Sequence, residues 1–187
     1  MLPVKLRSGL SLIGVLTATA ILIVAGFVAI PILLRSRRYS NDVAAVQAMA
    51  ALQRAEKDLY ANDLDGNGKA DYWMRDVRGL TQIKKRDSTI GLIEESLALA
   101  DATYGDARPL HDYLFLMVQT DEKGQRLADA TGFGPRLIFC MYPTSYVDDR
   151  KTSVYDIDEA WWTLHNGGRP IRQWIRFPPS QGWAKTD

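Results

Sequence analysis

Residues Leu10 to Leu34 form a run of 25 residues without a charged side chain, and no other feature restricts the fold as strongly. As an α-helix such a run is ~37 Å long, against roughly 30 Å of hydrocarbon in a bilayer. It is long enough to cross a membrane once. A secretory signal peptide has a shorter apolar core, about 7–15 residues, followed by a small-residue cleavage site. Here the run passes directly into Arg35, Arg37 and Arg38. The sequence therefore predicts one transmembrane helix over residues 10–34 rather than a cleaved signal peptide. Lys5 and Arg7 precede the span and three arginines follow it, so the positive-inside rule alone leans toward an external N-terminus.

The charge is unevenly spread. The 187-residue chain carries a net +1, yet its first 38 residues hold five basic side chains and no acidic one, which leaves −4 on the remainder. A mildly acidic globular part lacks the clustered Lys and Arg that displace counterions from nucleic acid, so no nucleic-acid partner is expected. Cys140 is the only cysteine, which excludes an intrachain disulfide and a multi-cysteine zinc site. Its place in "LIFCMY" reads as a small buried hydrophobe.

Beyond the span, "NDVAAVQAMAALQRAEKDLYA" (41–61) is rich in good helix formers. Ala45, Ala48, Leu52, Ala55 and Leu59 recur at steps of three and four, with Met49 and Tyr60 beside them and Glu56 intruding at one edge. Gln47, Arg54 and Asp58 fall opposite. This is a stripe suited to packing on a sheet. No glycine or proline interrupts residues 32–62, so the membrane helix is expected either to continue as one long helix or to break at "RSRRYS". A short helix is expected over 91–100. The second half reads as short strands separated by turn signals: 113–119, 136–142, 152–157, 160–165 and 171–175. Of the adjacent Trp161 and Trp162, one should face the core and the other solvent, because neighbouring strand residues point to opposite faces. The expected class is α+β, a long N-terminal helix packed on a small antiparallel sheet.

The stretch "SGLSLIGVLTATAILIVAGFVAIP" resembles the N-terminus of type IV pilins and type II secretion pseudopilins. The resemblance implies a leader over residues 1–9, cut after Gly9 by a prepilin peptidase, with Leu10 as the methylated first mature residue. It implies a transmembrane and assembly helix over 10–34, kinked at Pro31, the twenty-second mature position. It also implies an extracytoplasmic pilin-like head over 35–187, a cytoplasmic-membrane location, and other pilin or pseudopilin subunits as partners through the helix. The later segments "EKDLYANDLDGNG", "DYLFLMVQTDEKG", "FCMYPTSY" and "WWTLHNGGRPIRQW" resemble pilin-like proteins more loosely. One position departs from the pattern. The fifth mature residue is usually Glu, thought to pair with a neighbouring subunit's amino group, and here it is Gly14. That favours a minor or tip-like subunit, and it leaves open a single-span anchored binding or sensor domain that is neither processed nor assembled.

No enzyme motif is present. His111 and His165 lack metal-ligand spacing, and no nucleophile elbow, P-loop or dinucleotide fingerprint occurs. "TGFGP" reads as a turn, and the pairs Glu94-Glu95 and Asp148-Asp149 as solvated carboxylates. The chemistry-bearing motif is "DLDGNGKADYW". Asp63, Asp65 and Asn67 place oxygens at alternate positions, Gly68 stands sixth, the Lys69 carbonyl seventh and Asp71 ninth, as in an EF-hand-like calcium loop. The twelfth position is Met74 rather than Glu, with Asp76 two residues further as a possible substitute. A structural Ca²⁺ is expected here, against the plain alternative of a solvated turn, which favours the same residues.

Overall fold

The computed structural model describes residues 11–85, 87–145, 150–158, 160–165, 170–173, 181 and 183–186. Helix α1 spans Leu12–Asn62 without a break, so "RSRRYS" lies inside one helix. The chain divides into two compact units, Met1–Asn41 and Asp42–Asp187.

In the first unit the described helix is apolar and exposed. It is the one described helix long and apolar enough to cross a membrane, with a mean hydropathy of 2.6 in its most apolar window and none of that window buried. The Ser11 hydroxyl accepts the Gly14 N–H at 3.1 Å, which satisfies one of the donors that a helix start leaves free. The Thr17 and Thr19 hydroxyls donate to the carbonyls of Ile13 and Val15 at 2.8 and 2.9 Å, so neither needs a partner from outside the helix. Pro31 lies inside the helix, and its missing N–H leaves the Phe27 carbonyl without the usual helical donor.

The second unit is α+β. Residues Ala45, Met49, Leu52, Ala55, Glu56 and Leu59 of α1 are buried, while Gln47, Arg54 and Asp58 are exposed. Five strands, β4 (Tyr113–Met117), β6 (Ile138–Pro143), β7 (Lys151–Asp156), β8 (Ala160–His165) and β9 (Trp183–Thr186), form an antiparallel sheet in the order β4-β6-β7-β8-β9. Two small ribbons accompany it: β1 (Tyr72–Trp73) with β5 (Phe133–Gly134), and β2 (Ile83–Lys85) with β3 (Ser88–Ile90). A 3-10 turn covers Arg78–Thr81, and α2 covers Glu95–Leu99.

The period of two along the strands sorts two cores. Phe115, Met117, Phe139, Met141 and Tyr155 join the stripe of α1 in the larger cluster. Leu116, Val118, Ile138, Cys140, Val154 and Trp183 form a second cluster. Trp161 packs on the first and Trp162 on the second, so the pair does alternate, but Trp162 is half-buried rather than solvent-facing. The reason is that Trp183 and Ile171 join the second cluster beside it. The expected strand at 171–175 is not formed over its described part: Gln173 makes only an isolated parallel bridge with Thr120, and Trp174 and Ile175 lie outside the described residues. The Cys140 thiol donates to the Ile171 carbonyl at 3.3 Å, and burial pushes its pKa up to about 12. It is a buried hydrophobe, as its surroundings in the sequence suggest.

Candidate functional site

The acidic loop leaves the C-terminus of α1 and enters β1. Its backbone is shaped by left-handed residues, Asp63 at φ 44°, Gly66 at 71° and Gly68 at 78°. At Gly68 this is the conformation that the sixth position of a calcium loop demands and that glycine adopts without a Cβ penalty. Both oxygens of Asp63 accept the Gly68 N–H, at 3.2 and 3.1 Å. The Asn67 amide donates to Asp65 at 2.5 Å and, at 3.5 Å, to both oxygens of Asp71. The Lys69 N–H donates to the Asn67 side-chain oxygen at 2.7 Å.

Asn67 thus draws two carboxylates together while a third lies close by. The electrostatics carry the strain of that arrangement. Burial, followed by repulsion from Asp63 and Asp71, raises the Asp65 pKa. Burial chiefly raises that of Asp71, with repulsion from Asp129 and Asp63 added. Carboxylates that resist ionising side by side are relieved by a cation. Asp63, Asp65, Asn67 and Asp71, the residues expected to ligate an ion, are thus brought together in one loop, with the Asn67 amide N–H rather than its oxygen turned to the carboxylates. The side chains are folded onto loop N–H groups, and among the described residues no three His, Cys, Asp or Glu form a ready ligand cluster.

The twelfth position of the loop supplies no ligand. Met74 is fully buried in the core. Asp76 does not substitute for a twelfth-position Glu, because both its oxygens are committed: Oδ1 accepts the Gly79 N–H at 2.5 Å and Oδ2 the Tyr104 hydroxyl at 3.0 Å. Gly9 and Leu10, the expected processing positions, lie outside the described residues. So do Asp148 and Asp149, while Glu94 and Glu95 are exposed. His111 is exposed at a two-residue turn, where it and Asp112 take φ of 52° and 66°.

Two features beside the loop escape the sequence. Glu56, expected at the edge of the helix stripe, is fully buried. Its Oε2 accepts the Trp73 N–H at 3.0 Å, and Oε1 has no partner among the described residues. Burial holds its pKa well above the ordinary carboxylate range. The bond runs from α1 to β1, the two elements that the acidic loop connects, so Glu56 fastens the base of that loop. A Glu in a stripe of alanines and leucines carries no sign of a backbone partner 17 residues away. Asp76 is the second such residue, an isolated acid in sequence and a node of the fold. No family model, curated protein or solved structure gives a significant match to this chain.

Proposed function

We propose that the chain is a pilin-like or pseudopilin-like subunit, minor or tip-like, of a type IV pilus or type II secretion type assembly. The observation that carries this reading is α1 itself. One uninterrupted helix has an exposed apolar first part with Pro31 inside it, and a later part that buries a stripe in an α+β unit. In this reading the protein sits in the cytoplasmic membrane by a single span, with its head on the extracytoplasmic side. Its role is mechanical rather than catalytic. A prepilin peptidase cuts after Gly9, the helix from Leu10 packs with other subunits, and the head presents a surface. The test is mass spectrometry of the protein's N-terminus in cells with an active prepilin peptidase. The expected result is a chain that begins at N-methylated Leu10, and a Gly9→Ala chain that remains intact. An intact Met1 start in the unaltered protein rejects the assignment.

One observation favours a second reading, an anchored binding or sensor domain that is never processed. Gly14 supplies no carboxylate in the apolar helix, and an intramembrane charge is what a subunit pair would exploit. The same N-terminal measurement separates the two.

In either case the acidic loop is assigned a structural Ca²⁺ held by Asp63, Asp65, Asn67, Asp71 and the Lys69 carbonyl. The ion would supply the positive charge that lets these carboxylates ionise together, and so pin the exit of α1. Without a bidentate twelfth ligand the affinity is weak, in the range of about 10⁻⁴–10⁻³ M typical of extracellular modules. The melting temperature is expected to rise by several degrees with 10 mM calcium relative to chelator, following mass-action stabilisation. The Asp63→Ala, Asp65→Ala double variant should lose that difference. Coincident melting curves of the unaltered protein with calcium and with chelator remove the ion.

A further inference from the structure

Strand β1, where the acidic loop ends, is held unequally on its two edges. It is two residues long and pairs with an equally short β5. Successive N–H groups of a strand point to opposite edges. The Met74 N–H accordingly donates to the Gly132 carbonyl at 2.8 Å, on the side of β5. The Trp73 N–H points the other way, to Glu56 Oε2 on α1 at 3.0 Å. Glu56 thus stands where a second neighbouring strand would. A two-stranded ribbon alone is marginal in water, so this edge contact bears directly on whether β1 stays formed. The five-stranded sheet has no such dependence, since its neighbouring strands pair over four to six residues.

The contact suits only the neutral carboxyl. Glu56 is fully buried, and among the described residues Oε1 has no hydrogen-bond partner and no Lys, Arg or His forms an ion pair with it. A charge in such a place is strongly disfavoured, because no cation offsets its loss of water. The surrounding titratable groups do not relieve it. Tyr60 on α1, Tyr155 on β7 and Asp158 share the field of Tyr72 with Glu56. The three tyrosines stay neutral below about pH 10. Asp158 is an acid, paired with Arg136 at 3.1 Å. Lys57 and Asp58, beside Glu56 on α1, are exposed. Tyr60, four residues on and so on the same face of α1, stacks on the Tyr72 ring at 4.5 Å and is itself exposed, so solvent begins one turn away.

We propose that Glu56 is a proton-operated latch: its neutral form holds β1 and the acidic loop against α1, and its ionised form leaves the core and lets that segment open while the five-stranded sheet stays folded. Below the ordinary carboxyl range the closed and open forms are both protonated and the latch is fully engaged. Above that range the open form ionises first, because burial holds the proton on the closed form to higher pH. The open population therefore grows with pH until the closed form ionises as well. Neither step depends on an ion in the loop or on pilin-like assembly.

The test is hydrogen exchange, read by mass spectrometry, on the full chain in a non-ionic detergent with chelator from pH 5 to pH 8. Each rate is divided by the intrinsic rate at its pH, and peptides covering β1 are compared with peptides covering β4. At every pH β1 should be at least tenfold less protected than β4. Addition of 1 M urea should leave β1 within twofold and speed β4 about tenfold, since a local opening exposes little surface. The protection of β1 should fall between pH 5 and pH 8 by at least tenfold more than it does in Glu56→Gln, which keeps the acceptor for the Trp73 N–H and does not titrate. Asp65 and Asp71 titrate in both proteins, so their share cancels in that comparison. One shared protection and urea response for β1 and β4 would make the opening global and overturn the latch. Equal pH dependence in the two proteins overturns it too. So does constant β1 protection in the unaltered protein, whether or not the Gln variant folds.

Discussion

Replacing Glu56 by Gln should stabilise the protein at pH 8 and leave it nearly unchanged at pH 4. The carboxyl is fully buried, one oxygen lacks a partner among the described residues, and its pKa is raised by desolvation. The unfolded chain ionises this Glu near its ordinary pKa of about 4.3, whereas the folded chain holds the proton to higher pH. Between those two values the folded state binds more protons, so its stability falls as pH rises. The contribution is whole below the unfolded pKa and is lost up to the folded one. A Gln side chain keeps the shape and still accepts the Trp73 N–H, but it does not titrate. The Gln variant still buries a polar group at that position but escapes the linkage loss, so a higher melting temperature than that of the unaltered protein is expected at pH 8 and little difference at pH 4. The check is a series of thermal melts from pH 4 to 8 for both proteins. Parallel profiles would show that the carboxyl is not held neutral.

A large change of opposite sign is expected for Gly134→Ala. Gly134 pairs with Tyr72 across the β1–β5 ribbon. A Cβ at this position would fall within 3.0 Å of the Leu127 carbonyl oxygen. The obstacle is backbone rather than a flexible side chain, so either the ribbon or the 127 loop must shift. Overpacking of this kind costs about 1–3 kcal/mol, and a loss of roughly 5–10 °C in melting temperature should follow. Gly105 has nothing within 4 Å of its added Cβ and serves as the comparison. Gly105→Ala should melt within a degree or two of the unaltered protein. Equal melting of the two variants would mean that the ribbon accommodates the methyl group.

What the sequence reveals here follows the reach of each signal. The helix stripe is legible because its period is local, and five of its positions, Ala45, Met49, Leu52, Ala55 and Leu59, are buried as expected. Strands β4, β6, β7 and β8 are legible because each is a run of apolar or β-branched residues between turns. Strand β9 is not, since "WAKT" has one large apolar residue, and only pairing with β8 in the register Leu164↔Trp183 makes it a strand. The expectation that one of Trp161 and Trp162 faces solvent fails for the same reason, because Trp162 packs in the second core that Trp183 and Ile171 share. In the acidic loop, the positive φ of Gly68 follows from its residue type. The commitment of Asp76 does not, because its partner Tyr104 is 28 residues away. Glu56 shows the same limit: its burial is decided by β1, which the helix sequence cannot announce.

The Cys140 thiol has a use that its burial creates. Only the thiolate attacks alkylating reagents, and this thiol is sealed under the second face of the sheet with a pKa pushed up to about 12. As the chain's single cysteine, it has no competing site. Its labelling rate in native buffer therefore counts excursions in which that face opens, and the ratio to the rate in denaturant gives the free energy of the opening. The sheet thus contains its own clock for local unfolding, readable without adding a probe.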